Sequence, residues 1–428
     1  MKLNYKRTFF VGLAFLSISA FWQMYDNIIP LMLKNTFGLG ETVTGVLMAL
    51  DNVLALFMLP LFGALSDKVK TPIGKRTPFI IIGTILAVIS MTFIPIAERQ
   101  ANLTMFIIAL AVVLIAMGSY RSPTVALMPD ITPKPLRSKA NAIINLMGAI
   151  GAVYTLLMVM LLLKDEDNNR YFKVFLSVSL LMAIAVIILV ITIKEKKLTQ
   201  ELAETYPEAE PEKEPKKKER LSMGMPKDVR KSFLFLLASI FLWFFAYNAV
   251  TTAYSRYAEQ VWKLKDGGFA NALMVAMVAA IISYIPIGNI ASRIGRKKTI
   301  LGGIVMMTGS YLCGALFTEY SVWINVVFVF TGIGWAAINV NSYPMVVEMC
   351  KGSDVGKYTG IYYMFSMSSQ IITPIVSGAL LEHVSYRTLF PYAVIFSLAS
   401  LCTMLFVNHG DSRPPRKKDL MENFDVED

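Results

Sequence analysis

The sequence predicts an all-α membrane protein in which twelve transmembrane helices form two pseudo-symmetric six-helix bundles. Three observations lead to this fold class. Hydrophobic residues make up 55% of the 428-residue chain, charged residues only 17%, and the mean hydropathy is +0.55, which is too apolar for a soluble domain of this length. Twelve apolar runs are each long enough to cross a bilayer. One short glycine-and-cation segment occurs twice, half a chain apart.

The apolar runs divide into two sets of six. Each run holds roughly 20 residues, which as a helix spans a hydrocarbon core of ~30 Å. The first set occupies residues 9–33, 41–65, 78–97, 102–128, 139–163 and 172–193. The second set occupies residues 232–257, 268–291, 299–318, 322–347, 355–380 and 387–407.

The repeated segment lies between two apolar runs in each half. The first copy is PLFGALSDKVKTPIGKRTP, from Pro60 to Pro78, and the weaker second copy is PIGNIASRIGRKK, from Pro286 to Lys298. The copies are about 225 residues apart, close to half the chain length. Two equivalent bundles with a cavity between them form the architecture that transporters use for alternating access. The duplication therefore favours transport as the function.

A charged segment separates the two sets of helices. Residues 194–225 carry many charges and several prolines but few apolar side chains, so they lack the apolar surface needed to fold alone. We therefore expect a flexible cytoplasmic linker between two bundles. The predicted domains are an N-terminal bundle at 1–193, a linker at 194–231, a C-terminal bundle at 232–410 and a cytoplasmic tail at 411–428.

The distribution of lysine and arginine predicts the orientation. With both termini in the cytoplasm, 31 of these residues face the cytoplasm and nine face the other side, while Arg121 lies inside an apolar run. This bias, together with contacts to anionic lipid, explains the net charge of +11 without a nucleic-acid surface. We expect a multi-pass protein of the cell membrane, in contact with the lipid bilayer and acting as a monomer.

The repeated loop carries a signature of glycine, three residues, aspartate, and basic residues around a second glycine. The first copy supplies Gly63, Asp67, Lys68, Gly74, Lys75 and Arg76, and the second keeps Gly288, Arg293, Gly295, Arg296 and Lys297, with Ser292 in place of the aspartate. On this signature the chain resembles the major facilitator superfamily over nearly its whole length. The resemblance implies that the loop residues of both copies form a conformational latch, made in one state and broken in the other. Alternatively, the basic residues only determine topology.

Details of the first loop narrow the resemblance. Thr71 and Pro72 lengthen the loop before its second glycine, and Pro78 and Phe79 follow it. This longer form, together with the segment from Tyr120 to Ala142, is similar to the glycoside-pentoside-hexuronide cation symporters and to the sucrose/proton symporter group. The resemblance implies a sugar or glycoside as the solute.

Three charged residues lie deep in apolar runs: Asp26, Asp51 and Arg121. An ionised side chain at mid-membrane costs at least ~2.5 kcal/mol on insertion scales and usually serves a function. We predict that Asp51 or Asp26 binds and releases the coupling proton, with Arg121 as charge partner or as donor to sugar hydroxyls. The alternative for each is a structural ion pair. Melibiose-type members carry coupling carboxylates where this chain has Ala55 and Leu59, which favours a proton over sodium.

Polar and aromatic residues on the helices expected around the cavity are candidates for binding the sugar. Aromatic faces suit the apolar side of a sugar ring, while amide, hydroxyl and charged groups suit its hydroxyls. The alternative role for each is a hydrogen bond between helices. The candidates are Trp22, Gln23, Asp26, Arg121, Asn145, Tyr247, Asn248, Trp335, Asn339 and Gln370.

The predicted function is proton-coupled symport of a sugar or glycoside by alternating access. The alternative is a proton-coupled antiporter that exports drugs or metabolites, although Gly148 and Gly151 lack the neighbouring proline found in the fifth helix of many antiporters. We expect no enzyme activity, cofactor or metal, because the sequence contains no P-loop, no HExxH motif and no nucleophile elbow.

Overall fold

The computed structural model describes residues 3–133, 136–164, 169–205, 226–349 and 355–411. Over these ranges the chain is almost entirely helical, with thirteen α-helices named α1 to α13 in chain order. The bounds in the first half are α1 Tyr5–Asn35, α2 Glu41–Lys68, α3 Thr77–Arg99, α4 Leu103–Asp130, α5 Arg137–Leu162, α6 Arg170–Thr192 and α7 Glu195–Thr205. In the second half they are α8 Lys227–Gln260, α9 Phe269–Ile294, α10 Arg296–Leu316, α11 Ile324–Glu348, α12 Val355–His383 and α13 Leu389–Leu405.

The predicted fold class is confirmed. Twelve helices, all except α7, are long and apolar enough to cross a membrane; the last of these spans also includes the 3-10 turn Tyr386–Thr388 before α13. Large apolar side chains such as Phe57, Ile82 and Ile191 are well exposed on the outer surface, as expected for a surface that contacts lipid tails.

The expectation of a wholly flexible linker is wrong for its first part, because α7 is a helix of 11 residues. The carboxylate of Glu195, the first residue of α7, accepts hydrogen bonds from the backbone N–H groups of Lys75, Arg76 and Thr77 at 2.8 to 3.1 Å. These N–H groups belong to the start of α3, where a helix has no internal acceptors and favours a negative charge. The contact fixes α7 against the N-terminal half. The sequence did not indicate this role, because the charged composition of α7 is typical of a flexible linker.

Within the described ranges, the most extensive packing between the two halves is that of α2 on α12, α5 on α9, and α1 on α8. The α2–α12 contact is a backbone contact. A Cβ atom on Gly45 would lie 2.1 Å from the carbonyl oxygen of Pro374, and one on Gly378 would lie 2.4 Å from that of Glu41. Only glycine permits this approach, so α2 and α12 touch without intervening side chains.

Candidate functional site

A cavity lies between the two halves and has two lobes. The larger lobe, which we name the polar lobe, has a volume of about 780 Å³ and is walled by α1, α2, α4, α5, α8 and α12. It extends to Met128 and Arg137, which lie at the ends of α4 and α5 next to the first glycine-and-cation loop. We name this side of the membrane the basic-loop face. The polar lobe therefore reaches from mid-membrane to the basic-loop face.

All three charged residues predicted to lie deep in the membrane line the polar lobe. Asp51 accepts a hydrogen bond from the Asn52 side chain at 2.7 Å and interacts electrostatically with both Asp26 and Arg121. The guanidinium of Arg121 lies 5.7 Å from the centre of the Trp22 ring, within range of a cation–π contact. At mid-membrane the lobe thus brings two carboxylates, the guanidinium of Arg121 and an aromatic face together.

The second lobe, which we name the aromatic lobe, has a volume of about 270 Å³ and lies between α1 and α5 on one side and α8, α9, α10 and α11 on the other. Tyr247 and Trp335 stack in its wall with their ring centres 3.7 Å apart and their planes 2° from parallel. Phe15, Tyr284, Tyr311 and Phe328 complete its aromatic lining.

Nine of the ten predicted sugar-binding residues line one or both lobes. Asn339 is the exception: it is 4% exposed and absent from both linings. It follows Trp335 by one helical turn on α11, nearer the basic-loop face, whereas the lining residues of α11 end at Trp335. The nine are Trp22, Gln23, Asp26, Arg121, Asn145, Tyr247, Asn248, Trp335 and Gln370.

The residues of the first loop form an ion cluster at the basic-loop face. The buried guanidinium of Arg76 bonds to Asp67, to Asp130 at 2.9 Å and to the Gly63 carbonyl at 3.2 Å. Lys75 lies 3.1 Å from Asp130 and 3.7 Å from Asp67. We name Asp67, Lys75, Arg76 and Asp130 the loop cluster. It joins the ends of α2 and α4 to the start of α3.

The other signature residues of the loops have different surroundings. Gly74 has φ of +124° and Gly295 has φ of +96°, values that favour glycine at each turn. Arg296 pairs with Glu348 at 2.8 Å, so the second copy of the loop joins α10 to α11. Lys68 and Arg293 are exposed.

An ion cluster that the sequence did not indicate lies on the opposite face of the membrane. Glu41, at the start of α2, accepts a hydrogen bond from Arg256 of α8 at 2.6 Å, pairs with Lys34 of α1 at 3.0 Å, and accepts another from Tyr386. Glu41 and Arg256 are each only 3% exposed. We name these four residues the Glu41 cluster. It places a buried charge, Arg256, near the end of α8 in the second half.

Two further hydrogen bonds join the halves on the same face. Asn35 donates to Glu259 at 3.1 Å, and the backbone N–H of Thr42 donates to Glu382 at 2.7 Å. The paired residues are more than 200 positions apart, so the pairing itself could not be foreseen from the sequence. The sequence showed only that charged residues stand at the ends of these apolar runs. The face opposite the basic-loop face is therefore closed by polar contacts between the halves.

Twelve membrane-spanning helices around a polar cavity define a membrane transporter. A family model described as Major Facilitator Superfamily matches residues 11–283 and 266–424. The chain belongs to the major facilitator superfamily and is a multi-pass membrane transporter.

Individual relatives are distant. An uncharacterized MFS-type transporter of Mycobacterium tuberculosis is 27% identical over 130 residues, which are 30% of this chain and 19% of that protein. An MFS-type efflux transporter of Pyricularia grisea is 28% identical over 123 residues, 28% of this chain and 20% of that protein. The matched segments thus span about a fifth of these relatives. A POT family transporter solved with a thioalcohol-conjugated peptide matches with a TM-score of 0.70 at 11% identity, over 94% of this chain and 95% of that one, and shows the fold alone.

Proposed function

We propose that the protein is a proton-coupled symporter of a sugar or glycoside that works by alternating access. The observation that carries this proposal is the polar lobe, in which Asp26, Asp51 and Arg121 share one cavity with amide and aromatic side chains. Carboxylates at mid-membrane suit proton loading, and the amides and aromatic faces suit a hydroxylated ring.

In this proposal Asp51 carries the coupling proton, because it interacts with the two other mid-membrane charges of the lobe, Asp26 and Arg121. When Asp51 is ionised it attracts the guanidinium of Arg121, and when it is protonated that attraction is lost. Arg121 is then available to donate hydrogen bonds to solute hydroxyls. Asp26 is the second candidate for the same proton. The remaining contacts to the solute come from the seven other lining residues named above.

The Glu41 cluster and the loop cluster have complementary roles in alternating access. We assign the basic-loop face to the cytoplasm of the cell membrane, so both termini are cytoplasmic and the polar lobe faces inward. The Glu41 cluster closes the outside in this state and separates when the cavity opens outward. The loop cluster, with Arg296 and its neighbours in the second copy, is also formed in this inward-open state, and it is the latch that breaks when the cavity opens outward. The bundles at 1–193 and 232–410 move as units, and a monomer suffices because each chain has its own cavity.

Proton-coupled export is the second candidate function. Asp26 and Asp51 share one lobe, and a pair of carboxylates can hold either protons or an organic cation. One distant relative is also named an efflux transporter. An exporter of this kind would exchange the cation for protons.

Uptake into proteoliposomes separates the two candidates. The purified protein is reconstituted, a panel of labelled disaccharides and glycosides is added outside, and the external pH is recorded. Symport predicts uptake that an inward proton gradient drives beyond equilibrium, with alkalinisation of the medium when the solute is added. Empty liposomes and an added protonophore serve as controls. Release of protons from acid-loaded vesicles when solute is added outside would contradict symport and support antiport.

A further inference from the structure

The two lobes of the cavity differ in chemistry but share one wall. Residues of α1, α5 and α8 line both lobes, among them Gln23, Asp26, Asn145 and Thr251. The polar lobe adds Asp51 and Arg121 on one side of this wall, whereas the aromatic lobe adds mainly aromatic and aliphatic side chains on the other. A solute that fills both lobes therefore has a polar part joined to an apolar part.

The aromatic lobe suits one flat ring. Trp335 stacks on Tyr247 and receives Phe244 edge-on with a ring-centre distance of 5.3 Å, so the aromatic surface is held by its neighbours. Such surfaces bind other rings by offset or edge contacts. An apolar cavity of about 150 Å³ is enough for benzene. The aromatic lobe, at about 270 Å³, has room for a ring with a small substituent.

Two residues that line the aromatic lobe each carry a buried polar atom without a hydrogen-bond partner in the described ranges. The Tyr311 hydroxyl and the Asn27 side-chain oxygen accept or donate no hydrogen bond within the described ranges, and both residues are only 1% exposed. Asn27 uses its amide nitrogen to donate to the Gln23 carbonyl at 2.9 Å, which leaves the oxygen as an acceptor. Buried polar groups normally have hydrogen-bond partners. A hydroxyl on the bound ring would satisfy the Asn27 oxygen, the Tyr311 hydroxyl or both.

Two residues that line the polar lobe carry further atoms of this kind. The indole N–H of Trp22 and the side-chain amide nitrogen of Asn248 are buried donors with no hydrogen-bond acceptor in the part of the chain that the structure describes. Hydroxyl oxygens of a sugar are suitable acceptors for both donors.

From these features we infer that the transported solute is an aryl glycoside, with its sugar ring in the polar lobe and a hydroxylated aromatic aglycone in the aromatic lobe. The inference rests on the proposed sugar or glycoside function and narrows it. The aromatic lobe selects the aglycone, while the polar lobe binds the sugar and the coupling proton.

Calorimetric binding to the purified full-length chain tests the inference with matched probes. The probes are 4-hydroxyphenyl and methyl β-D-glucoside and the corresponding pair of β-D-galactosides. For the sugar that binds, we expect the 4-hydroxyphenyl compound to bind about tenfold more tightly than the methyl compound, a difference of ~1.4 kcal/mol. Trp335→Leu should remove this preference, so that the ratio of the two affinities falls from about tenfold to about one.

Two more variants guard against a general loss of structure. Trp323→Leu makes the same change at an exposed tryptophan just before α11 and should keep the preference. Tyr311→Phe removes only the buried hydroxyl, so, with the phenyl glycoside of the same sugar as a third probe, it should reduce the advantage of the 4-hydroxyphenyl over the phenyl compound.

The outcomes separate the inference from the function on which it rests. Equal affinity for methyl and aryl glycosides in the unaltered protein, or an aryl preference that survives Trp335→Leu, overturns the inference and leaves sugar transport standing. Failure of every glycoside to bind, together with no proton-driven sugar uptake, overturns the proposed function and the inference with it.

Discussion

A single carboxylate carries most of the chemistry that we propose. Asp51 lines the polar lobe and interacts with a carboxylate and with a guanidinium. Its protonation state therefore changes the net charge at the centre of the lobe. Protonation reduces the net negative charge around Arg121, and deprotonation restores it. Coupling between proton and solute then follows from electrostatics within one cavity and needs no long-range relay.

Asp51→Asn tests this role, because asparagine keeps the size of the side chain but binds no proton. One proton moving down 100 mV contributes ~2.3 kcal/mol, or accumulation of about 50-fold. We expect Asp51→Asn to lower accumulation to the equilibrium level and to preserve solute counterflow exchange in vesicles. Asp228→Asn, at the exposed start of α8, is the matched control and should accumulate solute normally.

If Asp51→Asn accumulates solute as well as the unaltered protein, Asp51 is structural. Asp26 then takes the coupling role, and Asp26→Asn is the variant that should lose accumulation.

Helical spacing in the sequence was enough to place individual residues at the cavity where one helix face was sufficient. Trp22, Gln23 and Asp26 lie at helical spacing on α1, and all three line the cavity. Asn339 shows the limit, since spacing gives the face of a helix but not the depth at which a cavity ends. The Tyr311 hydroxyl was not singled out, because a tyrosine in an apolar run looks like any other buried aromatic residue.

Contacts between helices determine which face of the molecule is closed. The Glu41 cluster joins α1, α2, α8 and the turn before α13 through one carboxylate, and it lies at the opposite end of α2 from Asp67 of the loop cluster. A buried ion pair gives little net stability, but removing one partner leaves the other charge buried and unpaired. Such a cluster therefore acts mainly on the equilibrium between states.

Glu41→Gln tests this effect on the equilibrium. Loss of one partner of a buried pair costs ~3–5 kcal/mol in the closed arrangement. When the halves separate, Arg256 and Lys34 are in water, so the open arrangement does not bear this cost. We expect the variant to favour the state that is open at the Glu41 cluster. The measurement is the rate at which an impermeant maleimide, added from that side, labels Thr251→Cys in the cavity of a chain whose own cysteines are serine.

The control for this labelling is Glu319→Gln, which changes an exposed glutamate on the same side of the membrane. It should leave the labelling rate unchanged. Equal rates for Glu41→Gln and the control would show that the Glu41 cluster does not hold the halves together.

The sequence was most informative about the whole molecule, that is, about the number and positions of its membrane helices. Hydropathy located all twelve membrane helices, because a span of ~30 Å demands a long apolar run wherever it occurs. The sequence did not indicate α7, whose polar surface resembles a linker and whose position depends on Glu195 meeting α3. It also did not indicate the Glu41 cluster, since pairing across more than 200 residues exists only after the halves have packed.

The orientation of the whole chain gives a separate prediction. If the basic-loop face is cytoplasmic, Val322→Cys, on the exposed segment before α11, should react with impermeant maleimide in intact cells. Lys70→Cys, in the exposed first loop, should react only after the membrane is permeabilised. Both variants are made in the background without native cysteines, and the reverse pattern would invert the proposed topology.

The backbone contact between α2 and α12 has a consequence for the angle between the halves. Gly45 lies only a few residues from Glu41, so a side chain placed there would act as a wedge at the closed end of the cavity. Because the neighbour is the Pro374 carbonyl and not a flexible side chain, the added volume can only be accommodated by tilting one half. Replacing Gly45 by alanine and then by valine enlarges this side chain in two steps. Each step should thus increase the angle by which one half is tilted against the other. A single position on α2 would then tune how long the transporter dwells in each state, without altering any group that binds solute or proton.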